Sequence, residues 1–392
     1  MSAAPPIYLD NAATTRVLPE VAAALLPYLT EQFGNASSIH AFGQRARAAV
    51  EQARRQTAAL IGAEPSEITF LSGGTEANNL AIQGVVGAYG SDRRRHIITT
   101  AFEHPAVLAP CRALEAAGWR VTYLPVGAAG RVTPDDVAAA LTDDTLLVTV
   151  MLANNEVGTL QPVADIGALV AERRRRGQVI FLHTDAVQAV GKIPVNVHEL
   201  RVDLLSISGH KMHAPKGVGA LYVAKHVRLA AQQLGGHQER DRRAGTEAVA
   251  NIVALGRAAQ LAAERLDHMD AVRALRDELE RELQKRIPNM VVNGVASPRL
   301  PHITNLAFDG LDANRLVIAL DLAGIAVSTG SACSSGSTEP SHVLRAMGLP
   351  PNRVRGSIRV SLSCETTADD IARVIEVLPK TVERLSYRRA SA

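Results

Sequence analysis

Aromatic side chains make up only 3% of this 392-residue chain, with three cysteines and one tryptophan. Binding of single-stranded nucleic acid leans on aromatic stacking beside a basic groove, so scarce aromatics argue against it. The net charge is only +3, and the arginine runs Arg93 to Arg95 and Arg173 to Arg176 are short and far apart. They read as solvated helix ends. Apolar runs such as Leu146 to Leu152 are far shorter than the roughly 20 residues needed to span a bilayer. The start, Met1 to Pro6, lacks the basic and apolar segments of a secretory signal, and the strand-like Ile7 to Leu9 follows at once. Cys111, Cys333 and Cys364 form neither a close pair nor a metal-ligand spacing. Neither a disulfide framework nor a resident metal is expected, and a reducing cytoplasm is the expected location.

What is present is ample material for a large core: 47% hydrophobic and 21% charged residues. The chain exceeds the roughly 250 to 300 residues at which single cores stop growing, so two domains are expected. Short apolar runs alternate with helical segments: Glu67 to Leu71, His96 to Thr100, Val121 to Val126, Thr145 to Met151, Val179 to His183, Val202 to Ser206 and Ala220 to Val223. Such alternation predicts an α/β fold, a mostly parallel seven-stranded sheet covered by helices on both faces. Ligands bind at the carboxyl ends of strands in sheets of this kind. From about Glu247 to Ile287 the pattern turns helical, and a boundary falls there; the expected division is 16–260 for a large domain and 1–15 with 261–392 for a smaller α+β one. Helices are expected over Pro19 to Phe33, interrupted at Pro27, and over His40 to Ile61, stopped at Gly62.

The chemistry gathers at three places along this pattern. Ser206-Ile-Ser-Gly-His-Lys211 puts a lysine where a buried strand gives way to a Gly/Pro-rich loop. Partial burial lowers a lysine pKa and suits the amine to attack a carbonyl and hold it as a Schiff base. Gly73-Gly-Thr75, at a strand-to-helix turn, offers backbone N–H groups, a helix N-terminus and a hydroxyl to a phosphate. A tight structural turn would look the same, and no Gly-Lys-Ser/Thr follows to make it a Walker loop. Asp185, ending the run before Ala186-Val-Gln188, is either a helix N-cap or a buried carboxylate paired with a cation such as a pyridinium nitrogen. The three together are the parts needed to hold pyridoxal phosphate.

The stretches Asp10-Asn-Ala-Ala-Thr-Thr15, Ser72-Gly-Gly-Thr-Glu76, Glu103-His104, Asn154-Asn-Glu156, Asp185 with Gln188, Ser208-Gly-His-Lys211, Arg243-Ala-Gly-Thr246 and Ser331-Ala-Cys333 occur in this order. On them the chain, from Tyr8 to about Leu385, resembles the cysteine desulfurases of the IscS/NifS type, which are fold-type I pyridoxal-phosphate enzymes of the class V aminotransferase group. The resemblance implies a sulfurtransferase that converts L-cysteine to L-alanine and leaves a persulfide on Cys333. It implies that Lys211 forms the Schiff base and moves protons, that His104 stacks on the cofactor ring and serves as acid/base, and that Asp185 pairs with the pyridine nitrogen. Asn155 and Gln188 would address the ring hydroxyl, while Gly74, Thr75, Ser208 and His210 would hold the phosphate. Thr246 would reach the partner's phosphate in a homodimer. Asn35, Asn155 and Arg359 would bind substrate, Asn35 and Arg359 at the substrate carboxylate, Arg359 as a bidentate partner. Sulfur acceptors would be an iron–sulfur cluster scaffold, a tRNA-thiolation enzyme or a DNA-modification system, and Cys333 is the candidate for a transient iron–sulfur ligand.

Two departures stand out: Ala36 replaces the proline usual in the family, and Leu362-Ser-Cys-Glu365 replaces the common glycine-arginine tract. The rival readings are a selenocysteine lyase, another fold-type I lyase or aminotransferase, and a noncatalytic sulfur-carrier scaffold. Cys333, set in the polar run Ser328 to Thr338, argues for sulfur relay. The joint presence of Lys211, Asp185 and His104 argues against a scaffold. Cys111, in an amphipathic stretch, is expected to be packed.

Overall fold

A computed structural model describes residues 5–329 and 340–390, with side chains to residue 386. Twelve strands are found among the described residues: β1 Ile7–Tyr8, β2 Ile68–Leu71, β3 His96–Thr100, β4 Arg120–Leu124, β5 Thr145–Thr149, β6 Phe181–Asp185, β7 Leu204–Ser208, β8 Gly219–Val223, β9 Met290–Val292, β10 Ile303–Phe308, β11 Ile325–Ala326 and β12 Ser357–Ser361. Seven form one sheet in the order β2-β8-β7-β6-β5-β3-β4, in which only β8 runs antiparallel to its neighbours. β3, β5, β6 and β7 are buried along their whole length, as a sheet covered on both faces requires.

β6 and β7 lie two residues further along the chain than the expected runs Val179 to His183 and Val202 to Ser206. Polar side chains in the sheet are the reason. His183 Nδ1 lies 2.8 Å from Thr149 Oγ1 and its Nε2 lies 3.0 Å from Ser206 Oγ, a ladder across β5, β6 and β7. Burial pulls the His183 pKa down to about 3, so the ring stays neutral. With these groups satisfied, the strands continue to Asp185 and Ser208. The expected Pro19 to Phe33 helix is two pieces, Pro19–Leu25 and Pro27–Thr30, divided at Leu26 before Pro27.

A second apolar core holds Ile7 and Leu9 together with Met269, Leu283, Leu306, Ile358, Ile371 and Leu378. It fills the space between helices Met269–Arg286 and Ala368–Ala390 and the sheet β12-β10-β9. Helix Val249–Glu264 packs instead on Ala41–Leu60 in the first core, so the 260/261 division falls within a helix. The chain enters through the second core at β1 and then crosses the carboxyl end of the large sheet. Asp10 pairs with Ser361 beside β12, and Thr15 N–H bonds His210 O just beyond β7. That crossing makes residues 10–16 one wall of the site.

Candidate active site

Where β6 and β7 end, a cavity of about 320 Å³ opens between the sheet and this crossing segment. At one end lies the turn between β2 and helix Gly74–Tyr89. Gly73 has φ 156°, a value open to glycine, and a Cβ on Gly74 would come 2.8 Å from Val187 Cγ2. The glycines therefore keep free a space into which the N-terminus of a 16-residue helix points its partial positive charge. Thr75, Ser208 and His210 line the same cavity. Glu76, which would oppose an anion there, is engaged elsewhere: it accepts from Ser72 N–H at 2.6 Å and Arg243 Nε at 2.9 Å.

Asp185 closes the floor. Its Oδ1 accepts from Val187 N–H at 3.0 Å and its Oδ2 from Asn78 Nδ2 at 2.7 Å. Asn78 was not singled out by sequence, although it follows Gly74 by four residues, one helical turn on the same face. Its own Oδ1 is buried without a partner.

His104 caps helix Pro105–Ala116, its Nδ1 accepting Ala106 N–H at 3.1 Å, which leaves the ring proton of the neutral form on Nε2. Burial pulls its pKa down, Lys211 adds to the fall, and Asp185 opposes it. The preceding Glu103 is fully buried; its Oε1 accepts from Thr100 Oγ1 at 2.7 Å and Met151 N–H at 2.9 Å. Burial pushes its pKa up to about 8, so it is a neutral acid that spares Asp185 a second negative charge nearby. His342 donates Nε2–H to Glu103 O at 2.9 Å, and Ser341 Oγ donates to Glu156 Oε2 at 2.6 Å. The start of helix His342–Ala346 is thereby fastened beside His104 and Asn155.

The opposite wall is the crossing segment. Lys211 Nζ donates to the carbonyl oxygens of Ala12 and Ala13, both at 2.6 Å, and Gln188 Nε2 donates to Ala12 O at 2.9 Å. Arg359, 2% exposed, donates from Nη1 to Asn155 O at 2.9 Å and from Nη2 to Asp10 Oδ1 at 2.7 Å, while its Nε has no partner among the described residues.

Of the residues expected from sequence, Gly74, Thr75, His104, Asn155, Asp185, Gln188, Ser208, His210, Lys211 and Arg359 meet in this cavity. Asn35 and Thr246 do not line it in the same chain. The Asn35 Oδ1 accepts Ser37 N–H at 2.8 Å, and its neighbours Ala36 and Ser37 share a different cavity with Glu247. Cys333 lies outside the described residues. Among the described residues no group of three His, Cys, Asp or Glu side chains could hold a metal ion, and no helix is long and apolar enough to cross a membrane. Cys111 is buried, with its pKa pushed up to about 12 chiefly by burial, and Cys364 is half-buried.

These residues fit pyridoxal phosphate. The glycine cradle at a helix N-terminus suits its phosphate, the fixed carboxylate of Asp185 suits its pyridinium, and the Lys211 amine suits its aldehyde. The family model for aminotransferase class-V matches residues 7–374. A cysteine desulfurase of Trichormus azollae is 53% identical over 383 residues, which cover 97% of this chain and 93% of that one. Among solved structures, a NifS-like protein superposes with a TM-score of 0.89 at 36% identity, covering 97% of this chain and 100% of its own. SspA, solved in complex with cysteine, gives a TM-score of 0.80 at 35% identity over 92% of this chain and 100% of its own.

Proposed function

The chain belongs to the aminotransferase class-V family as a pyridoxal-phosphate-dependent cysteine desulfurase, and on that premise we propose how its residues divide the work. The convergence of Lys211, Asp185, Thr75 and Arg359 on one cavity carries the reading. When bound, pyridoxal phosphate supplies an electron sink for the substrate's α-carbon and a covalent handle on its amine.

Asp185, held by Asn78 and Val187 N–H, would pair with the pyridine nitrogen. The helix N-terminus at Gly74 and the hydroxyls of Thr75 and Ser208 anchor the phosphate. Lys211 takes and returns the α-proton at Nζ, and the carbonyls of Ala12 and Ala13 hold that amine when it is free. His104, its pKa lowered by burial, would lie against the cofactor ring and pass a proton at Nε2. Arg359 takes the substrate carboxylate, with Asn155 beside it. The thiolate of Cys333 then attacks the substrate sulfur: the new S–S bond forms as the carbon–sulfur bond breaks, and the carbon takes a proton to become alanine. L-Cysteine and one thiol thus give L-alanine and one persulfide, in balance.

We further propose a homodimer in which Thr246 reaches the partner's phosphate. Leu26, Leu29, Phe33, Ile39 and Phe42 stand exposed within one short stretch, and Phe33 and Phe42 stack with centroids 5.6 Å apart. Such a patch on a single chain favours burial against a second copy. The acceptors are proteins that use persulfide sulfur, such as an iron–sulfur scaffold or a tRNA-thiolation enzyme, and the protein works in the cytoplasm. Incubating purified protein with L-cysteine and a thiol reductant tests the central reading. Alanine and sulfide should appear in equal amounts, and pyruvate with ammonia in place of alanine would sink it.

A further inference from the structure

Arg359 would be costly to bury as an isolated charge, and the structure shows how that charge is met before any substrate arrives. Its guanidinium donates to Asp10 Oδ1 at 2.7 Å and to the backbone oxygen of Asn155 at 2.9 Å, leaving the buried Nε–H without a partner. Asp10 is itself tightly placed. Its neighbour Asn11 donates N–H and Nδ2–H to Ser361 O, at 3.2 and 2.9 Å, and Ala12 N–H bonds Ser361 Oγ at 2.9 Å. The Tyr8 hydroxyl lies 3.1 Å from Asp10 O and 2.9 Å from Thr14 O. Ser361 is two residues beyond Arg359 on β12, on the same face of the strand. The backbone that carries Asp10 is therefore riveted to the strand that carries Arg359.

From this arrangement we infer that Asp10 is a positioning residue for substrate: it fixes the Arg359 guanidinium so that its free edge meets the α-carboxylate of the amino acid. An arginine clamp works only when its plane is fixed, because two N–H groups must meet two oxygens at once. Here two restraints set that plane, one from the crossing segment and one from the loop after β5. Without Asp10, the long side chain keeps a single tie, to Asn155 O, and turns about it. Binding of the carboxylate weakens while the proton-transfer groups, Lys211 and His104, stay where they are.

The inference rests on Arg359 being the carboxylate ligand, and the experiment separates the two claims. Steady-state desulfuration by the purified holoenzyme is measured for wild type, Asp10→Asn, Arg359→Ala and the double variant, and the dissociation constant of L-alanine by calorimetry. Asp10→Asn is expected to raise KM and the alanine dissociation constant about tenfold with kcat within about twofold, the pattern of lost binding rather than lost chemistry. In the Arg359→Ala background the same change should add less than about twofold, because the two residues act through one contact. Asp10→Ser, which keeps a small polar group, should act in the same direction as Asp10→Asn. If Arg359→Ala raises KM but Asp10→Asn does not, or if Asp10→Asn exacts the same factor in both backgrounds, Asp10 is an ordinary structural ion pair. If Arg359→Ala leaves KM unchanged, the carboxylate reading of Arg359 falls, and this inference with it.

Discussion

The amine of Lys211 lies 2.6 Å from the carbonyl oxygen of Ala12. The chain thus holds this lysine between the end of the large sheet and a segment that enters from the second core. Ala13 O, also at 2.6 Å, gives the amine a second carbonyl partner. Lys211→Ala is expected to abolish turnover and the visible absorption of the bound cofactor, since no other lysine lines the cavity. An active variant with an unchanged spectrum would remove the premise.

Asn78 is expected to matter through Asp185. Its Nδ2 bonds a buried carboxylate, and hydrogen bonds to charged groups contribute about 1.5 to 3 kcal/mol. Asn78→Ala should therefore weaken cofactor binding by roughly ten- to hundredfold, read by equilibrium dialysis, whereas Asn78→Asp, which sets a second negative charge against Asp185, should be worse. Equal affinity in wild type and Asn78→Ala would leave Asp185 oriented by Val187 N–H alone.

Stability should depend on pH from both sides. Burial depresses the pKa of His183 to about 3 and of His96, His210 and His213 to about 4. Unfolded histidines bind protons near the ordinary value of about 6.5, so the stabilisation is present above that pH and lost as pH falls through the folded values. Glu103 works in the opposite sense. Its pKa is raised to about 8, so its contribution is complete below the ordinary carboxylate value of about 4.5 and declines as pH rises towards 8. Thermal melts should show Tm falling below pH 6.5, and Glu103→Gln, which resembles the neutral acid, should lose less Tm between pH 5 and 8 than wild type. Parallel curves for the two proteins would mean that Glu103 is ionised in the fold.

The sheet was legible because its strands are buried runs such as Leu146-Leu-Val148, bounded by helical periodicity. The strand ends were displaced because Thr184, Asp185 and Ser208 look like loop residues, and the ladder that carries the strands past His183 and Ser206 shows only once their partners across β5, β6 and β7 are known. Lys211 and Asp185 were legible as candidates because each follows a buried apolar run, and both line one cavity. The partners of Asn78 and Asp10 were not, since each bonds a residue 107 or 349 positions away. The seat of Lys211 is made of backbone carbonyls, and alanine side chains carry no signal for it.

Subunit mixing tests the proposed sharing of sites. Asn35 and Thr246 lie off the cavity of their own chain, so both are open to serve a partner's. A Lys211→Ala subunit paired with a Thr246→Ala subunit places both lesions in one site and none in the other. Heterodimers should regain activity well above either parent. Confirmed exchange without recovery would assign Thr246 to its own subunit.

The last prediction concerns which thiol receives the sulfur. A thiolate attacks and a thiol does not, so reactivity follows pKa and access. Cys111 fails on both counts: it is buried within helix Pro105–Ala116, where burial above all pushes its pKa up to about 12. Cys364 is half-buried and follows β12 in a turn where Arg16 pairs with Glu365 at 3.2 Å, and it does not line the cavity that holds Lys211. Neither lines the cavity that holds Lys211 and Asp185, and the proposed relay is on Cys333. Cys333→Ala should retain the cofactor spectrum of wild type and bind L-cysteine, yet form no protein persulfide on alkylation and mass mapping. Cys111→Ser and Cys364→Ser should each transfer sulfur at rates within about threefold of wild type, since neither thiol is asked to be a nucleophile. A persulfide mapped to Cys364 in the Cys333→Ala protein, with transfer to an acceptor intact, would move the relay to the residue that stands where relatives carry a glycine-arginine tract.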